Sequence, residues 1–131
     1  MIGGMPMPTN AELAILRVLW REGPQTVREV HRAIYHDTAV GYTSALKLMQ
    51  NMLAKGLVNR QDQTRQHVYA AAVPEKATMN RLVRSWMDSA FAGSSLALAM
   101  QALDARPIPA EDLARLKAMI EQLQRDEEAE R

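Results

Sequence analysis

The sequence predicts a mainly α protein with one small β-hairpin, divided into two regions. Three observations carry that expectation. Apolar residues recur at helical spacing in successive windows along the chain. Between residues 57 and 73 the pattern changes to two short runs around a polar turn, as strands require. From Pro74 onward a second set of helical stripes begins, rich in Leu, Met and Trp.

Residues 1–8, "MIGGMPMP", have no basic segment ahead of an apolar stretch, so they read as a disordered lead rather than a secretory signal. In "PTNAELAILRVLWREG", Thr9 stands three residues before Glu12. This is a capping box, in which each side chain satisfies an orphan amide of the helix start. Leu13, Leu16, Leu19 and Trp20 follow at helical spacing, and Gly23-Pro24 ends the helix. "QTVREVHRAIYHD" repeats the device: Thr26 caps, Glu29 closes the box, and Val27, Val30 and Ile34 form the stripe of a short second helix.

The third helix is "YTSALKLMQNMLAKG". Thr43 and Ser44 are its candidate caps, and Gly56 takes the C′ position. Ala45, Leu48, Met49, Met52 and Leu53 face inward, while Leu46 falls near the edge of the exposed face. Leu57-Val58 and Val68-Tyr69 then flank "NRQDQTRQ", giving a hairpin whose tip carries Arg60, Arg65 and Gln66.

Three helices and a hairpin over residues 9–73 are the element order of a winged helix-turn-helix, in which the third helix enters the DNA major groove. The outward face of that helix fits the role. Lys47, Gln50 and Asn51 lie at i, i+3 and i+4, so one groove meets all three. Asn and Gln can bond adenine in a bidentate way, and Lys can reach guanine O6/N7. Ser44 lies one turn earlier, and Thr43 sits at the helix N-terminus, where amides and dipole favour a phosphate. On these residues alone an ordinary solvated face is the competing reading.

Residues 74–125 hold three more helices. The first carries Met79, Leu82, Val83, Trp86 and Phe91 on one stripe; the second is the short apolar "SSLALAMQALDA"; the last carries Leu113, Leu116, Ile120 and Leu123. A lone three-helix piece of about 55 residues buries little surface for its length. These stripes therefore predict dimerisation with a second copy about a two-fold axis. Residues 126–131 read as a charged tail.

Composition narrows the classes. The chain of 131 residues is 47% apolar, has nine Met and no Cys. The absence of Cys excludes disulfides, thiolate metal sites and cysteine nucleophiles. No run approaches the roughly 18 apolar residues of a membrane span, so a cytoplasmic location is expected. The net charge of +1 hides an asymmetry: residues 1–73 carry eight Lys/Arg against five Asp/Glu, and residues 74–131 eight against ten. The basic front half suits a polyanion. His31 and His36 are five apart, and His67 stands on the wing, so no metal site is expected. With no Gly-rich phosphate loop and no G-x-S-x-G, neither an enzyme nor a cofactor is expected.

The sequence also resembles a known family. "TNAELAILRVLWREGPQTVREVH" is similar to the first two helices of the penicillinase repressor family of bacterial repressors. "YTSALKLMQNMLAKGLVNR" followed by "HVYAAAV" is similar to its third helix and wing. The likeness runs from about residue 8 to residue 123, with the C-terminal half matched in helix pattern and at Gly93-Ser94. It implies a homodimeric winged-helix repressor on an inverted-repeat operator of double-stranded DNA. Tyr42, Thr43 and Ser44 match the family's Y-T-T, Lys55-Gly56-Leu57 its K-G-L, and Arg60 and Arg65 its basic positions beside the wing turn. Leu46 stands where the family has Lys, and Asn51 where it has Arg. The DNA-binding set is thus Tyr42, Thr43, Ser44, Lys47, Gln50, Asn51, Lys55, Arg60, Arg65 and Gln66.

The resemblance further implies a mode of release. Copper-sensing members use C-terminal cysteines, which this chain lacks. The β-lactam members are cut in the C-terminal helices through a membrane metalloprotease-receptor system, implying control of a β-lactam-resistance or envelope-stress operon. The family's scissile Asn-Phe aligns with Gln101-Ala102, and neither residue matches. Two other readings stay open from the residues: a winged-helix adapter that docks a protein, and a ligand-responsive regulator with a pocket among the C-terminal helices.

Overall fold

Two reciprocal caps set the first helices. The computed structural model describes residues 6–62 and 65–131; most of the expected disordered lead, residues 1–5, lies outside the described residues. The Glu12 amide donates to Thr9 Oγ1 at 3.2 Å, and the Thr9 amide donates to Glu12 Oε1 at 2.8 Å. This box opens helix α1, Asn10–Glu22. Gly23, at φ 82°, closes it with its N–H on the Leu19 carbonyl, a conformation that favours glycine. The same pair of bonds between Thr26 and Glu29 opens α2, Val27–Tyr35.

Helix α3, Tyr42–Lys55, departs from the expected start. Its N-cap is Gly41, with no side-chain bond, so neither Thr43 nor Ser44 caps it. The Ala45 amide already reaches the Gly41 carbonyl at 3.1 Å, which places both hydroxyls inside the first turn. The end is as expected: Gly56 lies at φ 83°, and the Leu57 amide bonds back to the Met52 carbonyl.

The sheet has three strands in the order β1-β3-β2, all antiparallel: β1 Gln25–Thr26, β2 Val58–Gln61 and β3 Val68–Ala71. The hairpin was legible; β1 was not, because two residues leading straight into a helix cap have no periodicity to read. The register pairs Arg60 with Tyr69. Arg60 therefore lies within β2, not at the tip, whereas Arg65 and Gln66 lie in the turn between the strands.

Side chains from these elements meet in one core. Ile15, Leu16, Val30, Ala45, Met49, Met52, Leu57 and Tyr69 are all fully buried. On α1 the buried face includes Ile15 and Val18, while Leu13 is only half-buried. Trp20 packs beside the core and donates its Nε1–H to the Val73 carbonyl at 2.9 Å, tying α1 to the chain leaving the sheet. Helix α4, Glu75–Ala90, then begins, with Thr78 Oγ1 donating to the Pro74 carbonyl and Thr78 and Leu82 buried.

The chain forms two compact units, Met1–Ser85 and Trp86–Arg131, with the division inside α4. In the second unit, Ala92 and Gly93 take φ of 51° and 78° after α4, and the Gly93 amide returns to the Met87 carbonyl. Ser94 caps α5, Ser95–Ala105, through the Ala97 amide. Helix α6 runs Ala110–Ala129, so most of the expected charged tail is helical. No residue of α5 or α6 is buried. Among the described residues, no helix is long and apolar enough to cross a membrane.

One charge lies deep in the first unit. Glu12 is 3% exposed, and Lys55 Nζ sits 2.6 Å from its Oε1. Burial alone would raise the Glu12 pKa, but the Lys55 ammonium and the Thr9 bonds outweigh it and hold the carboxyl below its ordinary value. A carboxylate lowered in the folded state adds stability above its unfolded pKa, and that stability is lost as pH falls through the folded pKa. Lys55→Ala should cost about 1–3 kcal/mol at neutral pH, the usual loss for a buried pair reduced because Lys55 is partly exposed. In urea unfolding followed by circular dichroism, the gap from wild type should narrow once the pH falls below the ordinary carboxylate value of 4.5. An equal gap at every pH would show that the pair carries no such stability.

Candidate nucleic-acid interface

The rotation of α3 is set by its buried side. Ala45, Met49 and Met52 are 0% exposed, packed among residues of α1, α2 and the sheet. The opposite side therefore faces solvent, and Thr43, Ser44, Lys47, Gln50 and Asn51 are all exposed on it, while Tyr42 is exposed as the first residue of the helix. The side chains of Lys47, Gln50 and Asn51 make no hydrogen bond or ion pair among the described residues. Their donors and acceptors are available to a partner.

Two flanking elements add charge. Arg28, in the first turn of α2, stands 5.4 Å from the centre of the Tyr42 ring, a cation–π distance. Sequence reasoning missed Arg28, because nothing local says that the start of α2 lies beside the start of α3. On the wing, Asp62 Oδ1 takes both Arg60 Nε at 3.2 Å and His67 Nδ1 at 2.6 Å. That carboxylate offsets the Arg60 charge, while Arg65 keeps its own.

Lys55 sits differently from its neighbours in the expected DNA-binding set. Its ammonium is engaged by Glu12, so it fastens the end of α3 to the start of α1. The spacing of a surface lysine cannot announce a partner 43 residues away.

Between the starts of α2 and α3 and the wing lies a cleft of about 230 Å³. Thr26, Val27, Arg28, Tyr42, Leu46, Arg65, Gln66, His67 and Tyr69 line it. Leu46, the residue that departs from the family lysine, makes part of its apolar wall. Tyr69 is 0% exposed, and its hydroxyl has no hydrogen-bond partner among the described residues.

The residues expected at a dimer contact divide. Trp86, Leu113, Ile120 and Leu123 are 47%, 49%, 48% and 56% exposed, while Met79, Val83, Phe91 and Leu116 are half-buried. Leu82 is buried within α4's packed side, at 7% exposure. Leu96, Met100, Leu103 and Met119, outside the expected set, are exposed as well. Leu96, Met100 and Leu103 stand at i, i+4 and i+7, a stripe that the spacing alone would have revealed. Gln101 and Ala102 are exposed inside α5, with regular helix on either side. Along α6, Asp112, Arg115, Leu116 and Met119 line a shallow open depression.

The family described as penicillinase repressor matches residues 8–122. The transcriptional regulator BlaI of two Mycobacterium tuberculosis strains is 38% identical over 62 residues, 47% of this chain and 45% of the relative. The chain's match thus spans less than half the length of these relatives. A solution structure of the Bacillus licheniformis BlaI monomeric form in complex with the blaP half-operator is 20% identical, with TM-score 0.49, covering 57% of this chain and 92% of that one. A crystal structure of a mutant MarR from E. coli, 13% identical, covers 88% of this chain and 77% of that one with TM-score 0.50, a likeness of fold.

The isolated Tyr69 hydroxyl generates a test. Removing an unpartnered buried hydroxyl should be neutral or stabilising by up to about 1 kcal/mol, so Tyr69→Phe should leave the thermal midpoint unchanged or raised. A loss of about 1–3 kcal/mol would mean that the hydroxyl is bonded after all.

Proposed function

The chain belongs to the penicillinase repressor family, whose members are transcriptional repressors and not enzymes, and on that premise we propose that it represses transcription as a homodimer on an inverted-repeat operator. The observation that carries the proposal is the outward face of α3. Its base-reading side chains are exposed and unpartnered, and buried methionines prevent the helix from turning them away.

The mechanism follows from the geometry. With α3 in the major groove, Lys47, Gln50 and Asn51 meet base edges. The free amides of the first turn, with Thr43 and Ser44, hold a backbone phosphate. Arg28 and Arg65 flank the groove and neutralise phosphates on either side. Asn51 and Leu46 replace two basic residues of the family pattern, so adenine contacts gain weight and the preferred operator differs from the family's usual one.

The second unit supplies the pairing. The exposed apolar residues of α5 and α6 are well suited to cover those of a second copy, and a two-fold axis then sets two copies of α3 one duplex turn apart. The finer reading, supported by family membership, is a cytoplasmic repressor of a β-lactam-resistance or envelope-stress operon. Its induction follows C-terminal cutting by a membrane metalloprotease-receptor system. Cutting at Gln101-Ala102 requires the middle of α5 to unwind first, because a protease takes its substrate extended.

Binding should fall steeply with salt, since each phosphate contact releases a counterion. Asn51→Ala should cost about 1–3 kcal/mol at particular base pairs and relax discrimination there. Arg65→Ala should weaken all sequences alike and reduce the salt slope by about 1. Fluorescence anisotropy on duplexes from the gene's own upstream region, across a potassium chloride series, reads all three. If Asn51→Ala binds every operator variant as wild type does, α3 is not the reading helix. A protein-docking adapter would give no salt-sensitive, sequence-dependent binding at all.

Pairing is tested separately. Sedimentation equilibrium at micromolar concentration should show a dimer, and Met119→Glu with Leu123→Glu should show a folded monomer, with unchanged secondary structure in the first unit. A wild-type monomer would rule out the paired arrangement.

A further inference from the structure

The cleft beside α3 has features that a purely DNA-facing surface does not need. The Arg28 and Arg65 guanidiniums give it two cations, and no acidic residue is among those lining it. The nearby carboxylates are already engaged, Glu29 by the Thr26 amide and Asp62 by Arg60 and His67. Val27, Leu46, Tyr42 and Tyr69 give it an apolar and aromatic part, and Thr26, Gln66 and His67 complete the lining. Tyr69 also holds a buried hydroxyl without a partner among the described residues, a state that costs free energy until something bonds to it. A cavity of about 150 Å³ already accommodates benzene; this one is about 230 Å³.

We propose that the cleft binds a small aromatic carboxylate and that its occupation opposes DNA binding. The carboxylate pairs with the two guanidiniums, whose planar forks suit a carboxylate in bidentate geometry. The ring lies against Tyr42, Val27 and Leu46, surface that a backbone phosphate would leave unused. The antagonism rests on the function proposed above. There Arg28 and Arg65 contact phosphates, and a guanidinium held by the ligand is withdrawn from the duplex. The chain would then have a route to release that needs neither cysteine nor cutting in α5.

The probe is sodium benzoate, added to the full-length protein labelled with ¹⁵N, with sodium chloride and inorganic phosphate at matched ionic strength as controls. Benzoate should shift the amide resonances of Thr26, Arg28, Tyr42, Arg65 and Tyr69 saturably in the millimolar range. Arg28→Gln and Arg65→Gln, both at exposed positions, should lose that saturation while keeping a folded spectrum. In anisotropy, saturating benzoate should weaken operator binding by about fivefold or more beyond the chloride control, within the usual span of coupling between sites. No saturable shift, equal shifts in both variants, or the same shifts with phosphate alone would overturn the site; the last would assign the cleft to the duplex backbone. Unchanged operator binding at saturation would overturn the antagonism. Failure to bind any duplex without benzoate would instead refute the proposed function, and the resonance shifts would still decide the site.

Discussion

Burial of Ala45, Met49 and Met52 fixes which way α3 faces, and the rest of the functional reading depends on it. A helix turns about 100° per residue. A slip of one position would therefore carry Lys47 and Asn51 toward the core and bring apolar residues to the surface. With all three at 0% exposure, such a slip would expose methionine to water and bury a charge and an amide. The helix is also held at both ends. Lys55 is tied to Glu12 at its C-terminus, and Arg28 lies over the Tyr42 ring at its N-terminus. A reading surface needs this kind of backing, since base recognition fails when the side chains are presented loosely.

Much of this was legible because the signals are local. Thr9 with Glu12 and Thr26 with Glu29 declare two helix starts within four residues each, and both boxes form. Gly23 and Gly56 declare two helix ends, and both take positive φ. The apolar stripe of α3 gives the exposed set directly. What the sequence hid is what depends on distant neighbours. Strand β1 exists because Gln25 and Thr26 meet Val68 and Tyr69. Lys55 looks like a surface cation until Glu12 is placed beside it. Arg60 looks like a tip residue until the register pairs it with Tyr69. Leu82 shares a stripe with exposed residues, and only packing separates it from them. The site's cleft was illegible for the same reason, since its walls come from α2, α3 and the wing.

The two units differ in how complete they are as folded objects. The first has a continuous core with a satisfied buried carboxylate. The second has helices with good caps and turns but leaves Leu96, Met100, Met119 and Leu123 more than half exposed. Exposed apolar stripes of that extent mark a surface meant for contact. Under the proposed pairing, affinity depends on holding both copies together. Disruption of α5 would then weaken binding without touching a single base contact, whereas a ligand beside α3 would act on each copy alone.

Hydroxyl-radical footprinting of the wild-type protein on its upstream DNA tests the central claim most directly. Two exposed α3 faces related by a two-fold axis should protect two matching segments with inverted sequence symmetry. Their centres should lie about 10 base pairs apart or a multiple of that. A single protected segment, protection without symmetry, or none in dilute salt would contradict the account.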